Sequence, residues 1–211
     1  MIRWLAQFLR VIWTLFLLFL IVPFSFPFGT VYYLLSQLRN WLFDQNILKT
    51  HSLSTGVISV GNLTMGGTGK TPVVDWIIDF FEQQNIQAAV VSRNWKARLQ
   101  STARIDLLSV PRPAEFYGDE PVWLQKRHPL LSVWVGPSKL KTAQLLMSHE
   151  NPDVIVIDDG FQHRKLDRDL DIVVMDAMAK KMAYWPFPIG QGREGLASLD
   201  RADIVILTNC H

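Results

Sequence analysis

Cysteine is almost absent from this sequence, since Cys210 is the single one among 211 residues. A lone cysteine excludes an internal disulfide framework and an all-cysteine zinc site, and it is typical of a reducing compartment. A basic surplus is missing too, because 21 lysines and arginines face 19 aspartates and glutamates. That balance argues against a nucleic-acid partner. With 49% hydrophobic residues, the chain is also not generally disordered.

Charge is scarcest at the N-terminus, where residues 1–38 contain only Arg3 and Arg10 as charged residues. Leu, Phe, Ile and Trp dominate residues 4–22, which predicts an apolar helix of about 28 Å that ends before Pro23. We therefore divide the chain into a hydrophobic membrane-associated segment, 1–38, and an α/β nucleotide-binding domain, 39–211.

Three interpretations of the apolar segment compete. A cleaved signal peptide lacks support because no small-x-small cleavage site follows the run. A spanning helix would put Arg3 and Arg10 on the side opposite the domain, against the positive-inside rule for a cytoplasmic domain. We favour a helix or helical hairpin within one leaflet. Its headgroup and interfacial anchors would be Arg3, Arg10, Arg39, Trp4, Trp13 and Trp41.

Short apolar runs alternate with helical patterns after Asp44. Strands are predicted at 57–61, 88–92, 130–136, 153–158, 171–176 and 203–208, and helices at 71–85, 120–128 and 138–150. Because the strand runs are apolar throughout, they predict a mostly parallel sheet with helices on both faces. Residues 93–113 show no clear periodicity.

The strongest motif is GNLTMGGTGKT, residues 61–71, between a predicted strand and helix. Glycines let backbone N–H groups approach phosphates at a helix N-terminus, Lys70 would reach the β- and γ-phosphates, and the Thr71 hydroxyl would bind Mg²⁺. The strict pattern has glycine where Thr64 stands. We favour this P-loop-type interpretation over a chance glycine-rich turn.

A second motif, DDGFQH, follows a buried strand and brings Asp158 and Asp159 to the carboxyl end of the sheet. Two adjacent carboxylates favour a nearby cation, so we predict metal binding over a plain Asp-Gly turn. His163 is either a structural loop histidine or a member of the same site.

Two further motifs stay open at this stage. In GDEP, Asp119 and Glu120 are either a helix-capping pair or a general base with a partner. In QGREG, Arg193 could neutralise phosphate and Glu194 could join the metal shell, although a loop before a helix explains the pattern equally well.

Taken in order, the apolar N-terminus, SVGNLTMGGTGKTP, Ser92–Arg93, GDEP, DDGFQH and RE before SLDRAD resemble the tetraacyldisaccharide 4′-kinase family, the lipid A 4′-kinases of Gram-negative bacteria. The resemblance implies transfer of the ATP γ-phosphoryl group, with Mg²⁺, to the 4′-hydroxyl of an acylated glucosamine disaccharide phosphate. It also implies an enzyme at the cytoplasmic face of the inner membrane.

The resemblance also implies roles for individual residues. Asp119 becomes the general base, and Glu120, Asp158, Asp159 and Glu194 become site or metal-shell residues. Arg93 and His163 fall in matching motifs without a defined role. The ATP loop would comprise Thr64, Met65, Gly66, Gly67, Thr68, Gly69, Lys70 and Thr71.

Two departures from the family pattern are visible. Asn94 and Trp95 follow Arg93 where the family has Gly-Tyr, and the family continues past the strand predicted to end at Thr208 into a second lobe. The sequence therefore resembles a truncated relative, and an inactive fragment is one alternative to a kinase. A membrane-bound switch ATPase is the other, although such proteins carry Lys before the GG pair, where Met65 stands here. Oligomeric state is not predicted.

Overall fold

The computed structural model describes residues 27–94 and 97–210. Within them, α1 covers 27–44. The other helices are α2 (Lys70–Gln83), α3 (Pro113–Tyr117), α4 (Asp119–Arg127) and α5 (Lys139–His149). The strands are β1 (Gly56–Gly61), β2 (Ala88–Arg93), β3 (Ala103–Arg104), β4 (Ser132–Gly136), β5 (Val154–Asp158), β6 (Leu170–Asp176) and β7 (Ile204–Thr208). Two short 3-10 turns cover Lys181–Tyr184 and Leu196–Arg201.

The strands form one seven-stranded sheet in the order β3-β4-β2-β5-β1-β6-β7. All neighbouring pairs are parallel except β3 with β4. At the centre, β1 pairs with β5 from Gly56 opposite Val154 to Val60 opposite Asp158. Both strands therefore end at the same edge, where the carboxyl ends of parallel strands place ligand sites in such folds.

Helices cover both faces of the sheet, as predicted. On one face, α2 and α4 bury side chains such as Val74 and Leu124 against Val90 of β2. On the other, α5 buries Leu146 against Ile155 of β5. Strands enclosed in this way have few places for polar residues, which explains their continuous apolar sequence.

Helix α1 has two different faces. Residues such as Asn40 and Phe43 are buried against the domain. The opposite face is apolar and exposed, with six side chains that are each at least half exposed: Phe28, Val31, Leu34, Leu35, Leu38 and Trp41. Their spacing of three and four residues puts them on one stripe of the helix.

The helix predicted over 4–22 lies outside the described residues. The boundary predicted between 38 and 39 falls inside α1, which runs without a break to residue 44. Across 27–94 and 97–210, no helix has both the length and the apolar character that a membrane span requires.

A buried histidine ties the end of α4 to α2. The His128 ring lies with Nε2 2.8 Å from Asp75 Oδ1 and Nδ1 3.1 Å from Glu82 Oε1. Its side chain is 1% exposed. We expect His128→Ala to lower the free energy of unfolding by about 1–3 kcal/mol, because it breaks both contacts and leaves a cavity.

Urea denaturation of the His128→Ala and His149→Ala variants measures this difference. His149 is the control, since it is exposed, its ring nitrogen bonds to Ser148 and Leu145 of its own helix, and its ring meets that of Trp134 at 5.5 Å between ring centroids. Equal stability of the two variants would contradict a structural role for His128.

Candidate active site

The glycine-rich loop lies between β1 and α2, as the sequence predicts. Gly66 and Gly69 have φ of 125° and 80°, values that side chains with a Cβ adopt only with strain. A Cβ on Gly67 would meet nothing within 4 Å, so this part of the loop faces open space. The loop therefore opens onto the N-terminus of α2, whose first N–H groups have no partner within the helix and can bind phosphate oxygens.

Loop residues 191–193 support the glycine-rich loop from one side. Met65 N–H donates to Gln191 O at 2.7 Å, and Arg193 N–H donates to Leu63 O at 2.8 Å. Inside the loop, the buried Asn62 side chain donates to Thr68 Oγ1 at 3.0 Å. These bonds fix the loop conformation before any ligand arrives.

Asp158 is buried at the end of β5 with half of its carboxylate unpaired. Its Oδ2 accepts from Ser92 Oγ at 2.8 Å, whereas Oδ1 has no hydrogen-bond partner among the described residues. Burial raises the pKa of Asp158, while Lys139 and Ser92 act in the opposite direction. A buried carboxylate oxygen without a partner is costly, and a cation would remove that cost.

Asp159, the next residue, lies among basic side chains. Arg193 Nη1 donates to Oδ1 at 2.9 Å and to Oδ2 at 2.7 Å, and Lys70 Nζ is 3.5 Å from Oδ1. Burial alone would raise the pKa of Asp159, but Lys139, Lys70 and Arg193 outweigh it and lower the pKa to about 2. The structure thus brings together four residues predicted from three separate motifs: Lys70, Asp158, Asp159 and Arg193.

Lys139 belongs to the same cluster, and the sequence analysis missed it. It is 2% exposed, and its Nζ donates to the backbone carbonyls of Asp158 and Asp159. Burial lowers the pKa of Lys139 to about 8, against the opposing effect of Asp159 and Asp158. A lysine in the first turn of α5 opposes the helix dipole, and this local mismatch is the signal that could have identified it.

The GDEP segment forms the start of α4. The residue that caps this helix is Gly118, with φ of 109°, so Asp119 and Glu120 lie in the first turn rather than acting as caps. Burial raises the pKa of Glu120, and so does Asp158, while Lys70 lowers it. The Glu120 carboxyl is therefore within electrostatic range of Lys70 and Asp158.

His163 lies in the same electrostatic environment. Burial, followed by Lys139, lowers the pKa of His163 to about 4, with Arg93 and Arg39 acting in the same direction. At neutral pH its imidazole is therefore uncharged. Arg93, at the end of β2, is exposed.

Glu194 is held by donors from the protein itself. Its fully buried carboxylate accepts from Arg39 at 2.8 Å, from Asn40 at 3.0 Å and from Arg201 at 2.8 Å. Both oxygens are thus engaged by donors, two of which come from α1. Two arginines compensate the charge of Glu194 in this arrangement, and its place in the metal shell stays a prediction.

The lowered pKa of Asp159 predicts a pH dependence of stability. The unfolded carboxyl titrates near 4 and the folded one near 2, so its stabilising contribution is complete above about pH 5 and is lost as the pH falls toward 2. Without Mg²⁺, we expect Asp159→Asn to be less stable than the parent by about 2 kcal/mol at pH 6 and by less than about 1 kcal/mol at pH 2.5.

Chemical denaturation from pH 6 to pH 2.5 checks this expectation. The exposed Asp200 supplies the control, because Asp200→Asn should follow the parent at every pH. A constant difference between Asp159→Asn and the parent across the range would contradict the ion-pair assignment.

Comparisons with known proteins place this geometry in a family. The family profile described as LpxK, tetraacyldisaccharide-1-P 4′-kinase, matches residues 21–211. A tetraacyldisaccharide 4′-kinase from Bdellovibrio bacteriovorus is 38% identical over 185 residues, which cover 88% of this chain and 54% of that protein. One from Chlorobaculum tepidum is 43% identical over 188 residues, covering 86% and 53% respectively. The chain spans about half the length of the curated relatives it matches.

A solved structure is similar over most of the chain. It is the crystal structure of the "apo" form of LpxK from Aquifex aeolicus in complex with ATP. The TM-score is 0.79 at 36% identity, covering 87% of this chain and 57% of that one. The resemblance predicted from the motifs is confirmed, and the chain belongs to the tetraacyldisaccharide-1-P 4′-kinase family.

Proposed function

We propose that this chain binds ATP and transfers its γ-phosphoryl group to the 4′-hydroxyl of an acylated glucosamine disaccharide 1-phosphate, a lipid A precursor. The observation that carries the proposal is the convergence of Lys70, Asp158, Asp159 and Arg193 beside the glycine-rich loop. Family membership supports the choice of substrate, and the relative whose crystal structure contains ATP supports the choice of nucleotide.

The phosphates would lie on the loop from Thr64 to Thr71. Backbone N–H groups at the start of α2 would donate to them, and Lys70 and Arg193 would add positive charge. Both cations lie close to Asp159, at 3.5 Å for Lys70 and 2.7 Å for Arg193. The side chains that pair with Asp159 beside the loop are thus placed to compensate the charge that spreads over the transferred group.

The residues present fit a magnesium ion. Asp158 offers a buried, unpartnered oxygen, Asp159 offers a second carboxylate, and Thr71 lies in the first turn of α2. These hard oxygen donors are the ligands that Mg²⁺ prefers. When bound, the ion would supply further charge compensation for the phosphates.

In the transfer step, the 4′-oxygen forms a bond to the γ-phosphorus while the bond to the bridging oxygen breaks and ADP leaves. The hydroxyl proton goes to Asp119, at the start of α4. Three further residues would contact the substrate or line the site: His163, Glu120 and Arg93. The imidazole of His163 is uncharged at neutral pH, and the pKa of Glu120 is raised.

We also propose that the exposed face of α1 lies on the membrane, at the cytoplasmic side of the bacterial inner membrane. Six apolar side chains form this stripe, and Trp41 is among them. Such a face binds at the boundary between headgroups and acyl chains. A substrate anchored by acyl chains is delivered at that depth.

A fluorophore placed on this face should report contact with lipid. In a Cys210→Ser background, Leu35→Cys labelled with an environment-sensitive dye is expected to shift to shorter emission wavelengths when anionic vesicles are added. Leu108→Cys is the control, since Leu108 is 97% exposed but is remote from α1 in sequence. Identical spectra with and without vesicles at position 35 would contradict the membrane-facing assignment.

The experiment that tests the proposed function supplies the chain with labelled ATP, Mg²⁺ and the acylated disaccharide phosphate in mixed micelles. Label should enter the 4′-position of the lipid, and Lys70→Ala should transfer none above background. ATP hydrolysis that yields no labelled lipid would favour the switch ATPase instead.

A further inference from the structure

One buried carboxylate connects α1 to the phosphate site. The Glu194 side chain is 0% exposed, and its carboxylate accepts from two side chains of α1, Arg39 and Asn40. Tyr32 of the same helix donates to the backbone carbonyl of Arg193 at 3.0 Å. A Cβ on Gly195 would come within 2.7 Å of the Tyr33 ring, so the helix and the loop are also in direct contact.

Arg193, the residue before Glu194, points away from α1 and toward the glycine-rich loop. The Arg193 guanidinium donates to Asp159, and its backbone N–H donates to the carbonyl of Leu63. The nearby Gln191 carbonyl accepts from Met65 N–H. Segment 191–194 is thus held by α1 on one side and by the glycine-rich loop on the other. Arg193 and Glu194 are adjacent in sequence. A shift of the Glu194 carboxylate therefore also moves the Arg193 guanidinium.

We propose that Arg39 and Asn40 are positioning residues for the phosphate site, which hold Arg193 and segment 191–193 against the glycine-rich loop through Glu194. This positioning role depends on one part of the proposed function, the binding of ATP at the glycine-rich loop.

The physical reason is the cost of a buried charge. With the donors of α1 removed, Glu194 keeps only Arg201 as a charged partner, at 2.8 Å. A buried carboxylate that loses partners is strongly destabilised, so segment 191–194 would move toward water or toward other donors. Either movement takes Arg193 from its place beside the phosphates, and Mg·ATP binding weakens.

Mg·ATP titration of the full chain in detergent tests the proposal through a double-mutant cycle. Arg39→Met should weaken binding about fivefold, whereas Arg39→Lys, which keeps the charge, should stay near the parent. In an Arg193→Met background, Arg39→Met should have little further effect. Asp44→Asn is the control: it removes the ion pair of α1 with Arg164 at 2.7 Å and leaves Glu194 untouched.

Additive losses from Arg39→Met and Arg193→Met would overturn the proposal, and so would an equal loss from Asp44→Asn, which would indicate general loosening of α1. Circular dichroism checks folding. Should Arg39→Met unfold, Arg39→Gln takes its place, because it keeps a donor for Glu194 without the charge.

The outcome is separable from that of the proposed function, because the titration uses no lipid. Coupled ATP binding without any lipid phosphorylation would overturn the kinase assignment alone. Lipid phosphorylation with the same KM for ATP in the parent and in Arg39→Met would overturn the positioning role alone. A parent chain that does not bind Mg·ATP would overturn both.

Discussion

Asp119→Asn is expected to slow phosphoryl transfer by a factor of roughly 10²–10⁴ while Mg·ATP affinity stays unchanged. The amide keeps the size of the side chain but cannot accept the proton of the attacking hydroxyl, and general-base assistance is typically worth that factor. Asp119 begins α4 beside Gly118, so the change leaves the glycine-rich loop intact. Initial rates on the acylated disaccharide and equilibrium ATP titration measure the two quantities.

Glu120→Gln is the matched comparison for this prediction. Glu120 is the neighbouring carboxyl, and its raised pKa makes it the rival candidate for the base. We expect a smaller loss of kcat from Glu120→Gln than from Asp119→Asn. The opposite order would transfer the role of the base to Glu120.

Lys70→Ala is expected to weaken Mg·ATP binding by one to two orders of magnitude. Hydrogen bonds to charged groups contribute about 1.5–3 kcal/mol, and Lys70 is the cation of the motif at the N-terminus of α2. Titration with a labelled nucleotide measures the loss. Lys126→Ala serves as the control, since Lys126 lies in the last turn of α4. Unchanged affinity in Lys70→Ala would refute phosphate binding by this loop.

Strands and helices with a clear local apolar pattern could be predicted from the sequence. The run predicted at 153–158 is β5 at Val154–Asp158. The strand predicted at 130–136 begins only at Ser132, because the chain turns just before it and Leu131 N–H donates to His128 O at 3.1 Å. The two-residue β3 was missed, since Ala103–Arg104 is too short to show a period. A helix after Pro23 and Pro27 was expected only in one alternative, the helical hairpin, and the bounds of α1 were not predicted, because prolines usually mark the start or the end of a helix.

The site residues also divide into those that local sequence patterns predict and those that only the fold reveals. The glycine-rich loop and the Asp158–Asp159 pair are local patterns, and each could be assigned from its neighbours in sequence. Glu194 could not, because its partner Arg39 is 155 residues away and only the fold shows that an arginine holds it. Lys139 is 19 residues from the carbonyl it contacts on Asp158, a distance at which no spacing rule applies.

The pairing of β1 with β5 has a consequence for how the chain folds. The glycine-rich loop follows β1 and the aspartate pair ends β5, and the paired residues Gly56 and Val154 are about a hundred positions apart in sequence. Contacts of such long sequence separation slow the folding of small domains, because loop-closure entropy is lost before the contacts form. We therefore expect the ATP site to be completed late in folding. Nucleotide would then slow unfolding of the finished domain without accelerating its folding.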